Sequence, residues 1–319
     1  MNFMNKRSLL VPGSFPLRAD SHCDTVIAEK NGCRSHIDFE CMEQYCDLQF
    51  FALYLEEEGD TALAVEENEA AYECYSSLLK KYETKLIPVL TGADLKNIGN
   101  GRVGSLLAIE NSEPLAEDSE ALFRLYKKGY RSFGITWSNE NSLGGGVNTD
   151  VGLKPLGRKV LRAMNALPVI VDLAHMNEQT FFDAMEILER PPIVTHACCR
   201  KLYDHKRNLT DEQLRYLAEA RGMLGITFAR GFLDINGGSI DRIVDHVIHA
   251  ANIMGIDHVC FGSDFDGTDL PLDMTGQQDL KQLRRQMLER NFSSQEADAV
   301  LGENLVSYVW ERLEGSDAL

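Results

Sequence analysis

Short, continuously apolar runs alternate along this chain with segments whose apolar residues recur every three or four positions, the mark of strands alternating with amphipathic helices. The runs near 17–22, 49–54, 104–110, 132–137, 169–173, 192–196, 223–228 and 259–264 predict strands. Stretches such as LPVIVDL and PPIVT carry no polar alternation, as expected of strands covered on both faces. Helical patterns fall between most runs. The clearest covers 240–251, where Ile240, Ile243, Val244, Val247, Ile248 and Ala251 share a face behind Ser239 as N-cap. Segments 62–81, 119–128, 156–166, 178–188, 211–220 and 278–290 have a similar pattern. Eight strands with intervening helices predict an α/β fold, a (β/α)8 TIM barrel, whose chemistry sits at the C-terminal strand ends. A ninth run, KLIPVL at 85–90, is surplus and is expected as a short extra strand before the third barrel strand. No linker or repeat divides the chain, so one barrel domain is expected over 1–319.

Composition narrows the partners. The 319 residues are 44% hydrophobic, enough for one large core, and carry a net charge of −17. That charge argues against a nucleic-acid backbone as partner and favours a cation or a small substrate held by local basic groups. No run approaches the roughly 18 apolar residues of a membrane span. The opening MNFMNKRSLLVPGSFPLR does not have the build of a signal peptide. The eight cysteines form no CxxC pair and are read as reduced thiols in a cytoplasmic protein.

Candidate chemistry collects where the apolar runs end. His22 and Asp24 stand in ADSHCDT, Glu110 closes SLLAIE, His175 follows VIVDLA, His196 closes PIVTH, and Asp264 lies in VCFGSDFDG. A charged or imidazole group ending a buried strand is costly without a partner, and a shared cation is such a partner. Singly, each is ordinarily a hydrogen-bonded core residue; repeated at several strand ends, they predict a metal site. Imidazole with carboxylate suits zinc or another borderline divalent ion. The ligand count suggests two ions, His22 and Asp24 on one, His175 and His196 on the other, with Glu110 bridging. A shared water or hydroxide, acidified by the metals, is the expected nucleophile. Asp264 is placed to move the water's proton to a leaving amine; Asp266 is its rival and is assigned to organising the FDGT loop. Arg207, in HKRNLTD, is a candidate partner for a substrate carboxylate. Asp172 is expected behind the ligands, aimed at an imidazole.

Taken together these segments resemble the membrane (renal) dipeptidase family of zinc peptidases, over nearly the whole chain. The resemblance rests on the His-x-Asp of His22 and Asp24, the strand-ending Glu110, VDLAH, THACCR, the Arg207–Asn208 pair, GSDFDG and the closing GENLVSYVW. It implies a (β/α)8 barrel, a binuclear zinc site, hydrolysis of dipeptides including some with a C-terminal D-residue, and a homodimer. It further implies that Arg207, beside Asn208, holds the dipeptide's terminal carboxylate. Two positions depart from the family pattern. A substrate-contacting histidine after the fourth barrel strand is missing from TWSNENSLGGG, where Trp137 or Asn139 stands near its place and Asn141 is a further polar candidate. A family tyrosine after the seventh barrel strand is replaced by Ala229, with Arg230 beside it as the candidate to compensate. Two other readings compete: an amidohydrolase such as an N-acyl amino acid deacylase, and a non-catalytic metal-binding barrel. The bridging Glu110 favours the dipeptidase branch.

Overall fold

Nine parallel strands form the centre of the molecule, which is described here from a computed structural model over residues 17–55 and 59–314. They are β1 (Ala19–Cys23), β2 (Leu48–Tyr54), β3 (Leu86–Pro88), β4 (Val103–Glu110), β5 (Tyr130–Gly134), β6 (Ile170–Asp172), β7 (Ile193–Ala197), β8 (Met223–Ile226) and β9 (Val259–Phe261). Pairing runs β2-β1-β9-β8-β7-β6-β5-β4, and β2 pairs β4 to close the barrel. The surplus run is β3. It pairs with β4 at Val103–Ser105, while β5 pairs with β4 farther along at Leu107–Ile109. It therefore extends one edge and is not one of the eight staves. The expected (β/α)8 barrel is what the chain forms.

The helices are α1 (Thr25–Lys30), α2 (Thr61–Lys81), α3 (Ala121–Lys128), α4 (Pro155–Asn165), α5 (Glu178–Met185), α6 (Asp211–Glu219), α7 (Arg230–Leu233), α8 (Ile240–Met254), α9 (Leu280–Glu289), α10 (Ser294–Leu301) and α11 (Glu303–Leu313). Local chemistry fixes their starts. The Ser239 side chain accepts from Arg242 N ahead of α8, and Thr210 and Gln213 form a capping box ahead of α6. On α8, Ile240, Ile243, Val244 and Val247 of the predicted face are buried, Ile248 and Ala251 are half-buried, and His246 and Ala250 join the packed side. Among the described residues no helix is long and apolar enough to cross a membrane.

Side chains alternate between two apolar layers, as the strand repeat demands. Leu53, Leu107, Val171, Val194, Leu224 and Val259 belong to the layer shared with the helices. Leu48, Phe50, Leu106, Ile170, Ile193 and Met223 join Leu305, Val309 and Leu313 of α11. Asn304 and Tyr308 of α11 donate to the carbonyls of Val259 and Pro191, at the start of β9 and just ahead of β7. Thus α11 covers the N-terminal end of the barrel and leaves the C-terminal mouth for polar groups.

One side of the interior is filled by backbone. Ser21 Oγ lies 2.6 Å from Thr195 O and 3.0 Å from Phe261 O. A Cβ added at Gly225 would stand 2.0 Å from Thr195 O and 2.4 Å from Ser21 Oγ. Gly225→Ala is therefore expected to destabilise the protein by about 1–3 kcal/mol, the usual cost of overpacking a core. Chemical denaturation of the purified variant measures it, and unchanged stability would contradict this packing.

Candidate metal centre

Two strand irregularities aim the ligands. The β1–β2 register shifts between Asp20 and Cys23, and the β7–β8 register shifts between Val194 and Ala197. Bulges re-aim side chains in this way at barrel rims. Each brackets a histidine, His22 in one and His196 in the other. Past β1, Asp24 is the N-cap residue of α1 and lies beyond the strand. The expectation that His22 and Asp24 share a strand face is thus replaced by a bulge and a turn that bring them together. His175 and Asp264 also stand three residues past their strands, with φ of 67° and 64°. Non-glycine residues rarely adopt this left-handed backbone, and it recurs at functional sites.

The six predicted residues converge at the mouth and all are buried. His22 Nε2 lies 3.3 Å from Asp24 Oδ2, 3.4 Å from Glu110 Oε2 and 3.9 Å from Asp264 Oδ1. Glu110 Oε1, the other oxygen, lies 2.8 Å from His175 Nε2 and 3.7 Å from His196 Nε2. The two imidazole Nε2 atoms are 2.9 Å apart. Two trios therefore share Glu110, one with His22 and Asp24, the other with His175 and His196, and a third joins His22, His196 and Asp264.

The donor chemistry fits divalent cations. Two ligands about 2.0–2.1 Å from one tetrahedral zinc stand roughly 3.3 Å apart, in the middle of the spacings above. His22 Nε2 and Asp24 Oδ1 are buried with no hydrogen-bond partner among the described residues. Such orphaned polar atoms are costly unless something else satisfies them.

Electrostatics are strained without that charge. Burial alone would raise the Glu110 carboxyl, but His22 and His175 hold it well below the carboxylate range. Burial disfavours a charged His22, yet Glu110 and Asp24 raise it well above the usual imidazole value. Burial and then Arg207 push His175 down to about 4, and burial with His22 pushes His196 well below normal. Burial moves the Asp264 carboxyl up to about 7; Asp24 and Glu110 add to the rise, and His22 and Arg207 oppose it.

The rival aspartate does something else. Asp266 accepts from Thr25 Oγ1, Ser35 Oγ and His36 N at 2.6, 2.8 and 2.6 Å, tying the loop after β9 to the loop after α1. Asp264 alone of the pair faces the ligands. Arg207 adjoins them: its guanidinium donates to His196 O at 3.0 Å, while its buried Nε has no partner among the described residues. Asn208 donates to Tyr203 O and Phe232 O, so its amide nitrogen is committed to fixing two loops. The Trp137 ring stands 6.0 Å from the His175 ring, at the mouth. Asn139 Oδ1 accepts from Asn148 within the loop after β5. Asn141 is buried, donating to Asn111 Oδ1 and Ile135 O and accepting from Leu143 N and Gly144 N. It builds that loop, which removes it as a candidate for substrate contact. Arg230, beside Ala229, pairs with the exposed Asp269.

Three residues that the strand-end pattern passed over support the ligands. Asp20 accepts from His22 N, Ser263 N and Ser263 Oγ, clamping the ends of β1 and β9 together. Ser138 Oγ lies 3.1 Å from His175 Nδ1. Thr195 Oγ1 lies 2.9 Å from His196 Nδ1 and donates to Asp172; Asp172 thus reaches the imidazole through Thr195 rather than directly. Hydroxyl and carboxylate positions beside a ligand carry no periodicity, so only the adjacency of Thr195 to His196 and the DSH spelling of β1 hint at them.

Comparison with known proteins places these features. The family model described as membrane dipeptidase, peptidase family M19, matches residues 11–317. An uncharacterised protein from the pqqA 5′ region of Klebsiella pneumoniae is 32% identical over 240 residues, 70% of this chain and 89% of the relative. The dipeptidase tcpJ of Claviceps purpurea is 30% identical over 221 residues, 66% of this chain, which spans about half (52%) of that relative. Among solved structures, a metallopeptidase described as dipeptidase AC superposes with a TM-score of 0.89 at 25% identity, covering 94% of this chain and 99% of that one. A metallopeptidase of Rhodobacter sphaeroides, liganded with a phosphinate mimic of the dipeptide L-Ala-D-Ala, has the same fold: TM-score 0.88, 24% identity, 93% and 99% covered.

The raised Asp264 has a measurable consequence in metal-free protein. Between the ordinary aspartate value of 3.8 and about 7, the unfolded chain loses this proton while the folded one keeps it. Stability therefore falls as pH rises through that window and levels off above it. Metal-free Asp264→Asn, which cannot ionise there, is expected to gain on the wild type from pH 4 to 7 and then hold its advantage. Thermal melts across pH measure this, and a constant difference would contradict the shift.

Proposed function

Because the chain belongs to the membrane dipeptidase family, we propose that it hydrolyses free dipeptides at a pair of zinc ions held by His22, Asp24, Glu110, His175 and His196. The observation that carries this reading is the pair of ligand trios sharing Glu110, with Asp264 and a buried, half-satisfied Arg207 at their edge. When bound, the ions supply Lewis acidity, polarising the scissile carbonyl and bringing a water's pKa toward neutrality.

The chain's own groups do the rest. Arg207, with an unpartnered Nε, takes the substrate's terminal carboxylate in a charge-assisted contact. This anchors the C-terminal residue of the dipeptide beside the cluster and orients the scissile bond. Asp264, raised toward neutrality by burial, accepts the proton of the attacking water and returns it to the departing amine. Trp137 walls the mouth beside His175, Asn139 belongs to the same loop, and Asn208 holds the loops around Arg207. A dipeptide with a C-terminal D-residue is within this reading, as the L-Ala-D-Ala mimic in the Rhodobacter structure suggests. A homodimer is included on the strength of the family resemblance, and a cytoplasmic location on the reading of the cysteines as reduced thiols.

Three experiments test it. Zinc-loaded protein is expected to cleave L-Xaa-L-Xaa or L-Xaa-D-Xaa dipeptides and to lose that activity to a chelator. Cleavage of N-acetyl amino acids alone would transfer the protein to the deacylase class. Asp264→Asn is expected to keep bound zinc while turnover falls at least about a hundredfold, the usual scale of lost acid–base catalysis; undiminished turnover would remove Asp264 from the chemistry. Arg207→Ala is expected to raise KM for dipeptides roughly ten- to a hundredfold, as when a charged hydrogen bond is lost. An unchanged KM would mean that the carboxylate binds elsewhere.

A further inference from the structure

Asp172 closes β6, Thr195 precedes His196 on β7, and both side chains are buried outside the ligand cluster. Asp172 Oδ1 accepts from Ala174 N at 2.9 Å and from Thr195 N at 3.0 Å. Burial raises the Asp172 carboxyl, and the Thr195 hydroxyl and the two backbone donors oppose that rise by bonding to the ionised form. The Thr195 hydroxyl donates to Asp172 Oδ2 at 2.5 Å. A hydroxyl has one proton, and with that proton given to Asp172 only lone pairs remain toward His196 Nδ1, 2.9 Å away. The His196 nitrogen must then bring the hydrogen, which leaves the Nε2 lone pair aimed at Glu110 Oε1 and His175 Nε2. The neighbouring imidazole is held less firmly. The half-buried Ser138 hydroxyl stands at His175 Nδ1, and among the described residues no carboxylate backs it, so its proton can turn either way.

We propose that Thr195 and Asp172 are positioning residues that lock His196 in the Nδ1–H tautomer. Through it they create the cation site of His175, His196 and Glu110, independently of the site of His22 and Asp24. This inference rests on the two-ion reading above. The bulge gives it a mechanical basis: the register shift between Val194 and Ala197 places Thr195 and His196 where one side chain reaches Asp172 while the next reaches the mouth. The Ser21 contact to Thr195 O fixes that bulge from the opposite strand. Outer hydrogen-bond partners of a ligating histidine commonly change metal affinity ten- to a hundredfold.

The test counts ions. Wild-type protein, Thr195→Val and Thr195→Ser are titrated with zinc against a chelator of known affinity, with circular dichroism as the check on folding. Wild type is expected to bind two ions. Thr195→Val, nearly isosteric but without the hydroxyl, is expected to weaken one of them about ten- to a hundredfold and leave the other unchanged; Thr195→Ser is expected to restore both. Asp172→Asn leaves the hydroxyl in place but offers it a neutral amide, and is expected to weaken the same single ion; it carries the test if Thr195→Val does not fold. Two ions of wild-type affinity in a folded Thr195→Val or Asp172→Asn would overturn the proposal, as would equal loss of both ions. A wild type that binds fewer than two ions would instead overturn the binuclear reading on which this one rests.

Discussion

One carboxylate organises the mouth of this barrel. Glu110 is buried at the end of β4 with three imidazole Nε2 atoms around its two oxygens. Removing such a group from water is expensive unless charge surrounds it. In the protein alone that charge must come from the imidazoles, and His22 is driven toward its protonated form as a result. Two divalent ions would meet the same need while freeing the imidazoles to act as ligands.

The rest of the fold can be understood as what keeps Glu110 and its neighbours in register. Apolar side chains and α11 fill the N-terminal half of the barrel. Above them the interior narrows to backbone at Gly225 and to Ser21 and Thr195. Two bulges then turn His22 and His196 inward, and two left-handed residues, His175 and Asp264, complete the ring. Asp20, Asp172, Thr195 and Asp266 are polar groups spent on these turns rather than on substrate. Strain at the mouth rests on a rigid lower barrel, the arrangement by which this fold holds catalytic groups on loops.

Much of this was legible in the chain. Continuously apolar runs marked the barrel strands to within a few residues, and the extra run at 85–90 was a real strand outside the closed ring. The residue types at the run ends marked the cluster, because a buried His, Asp or Glu ending a strand needs a partner. What the sequence did not carry was backbone geometry. Period-two reasoning placed His22 and Asp24 on one strand face, whereas a bulge and a helix start bring them together. The apolar run read as a strand over 259–264 put Asp264 at a strand end, whereas β9 stops at Phe261. Asn141 was polar and well placed in the chain, yet its hydrogen bonds are all turned inward. The family resemblance supplied Arg207 and Asn208 as a pair. The structure separates them, one with an open donor beside the cluster and the other tied to loop carbonyls.

The central claim is that Glu110 joins two cation sites. The most direct measurement is an anomalous difference map, at the zinc absorption edge, from crystals of zinc-loaded protein. The account predicts two peaks on opposite sides of the Glu110 carboxylate, one beside His22 and Asp24 and the other beside His175 and His196. A single peak, or two that leave Glu110 outside their coordination, would contradict it.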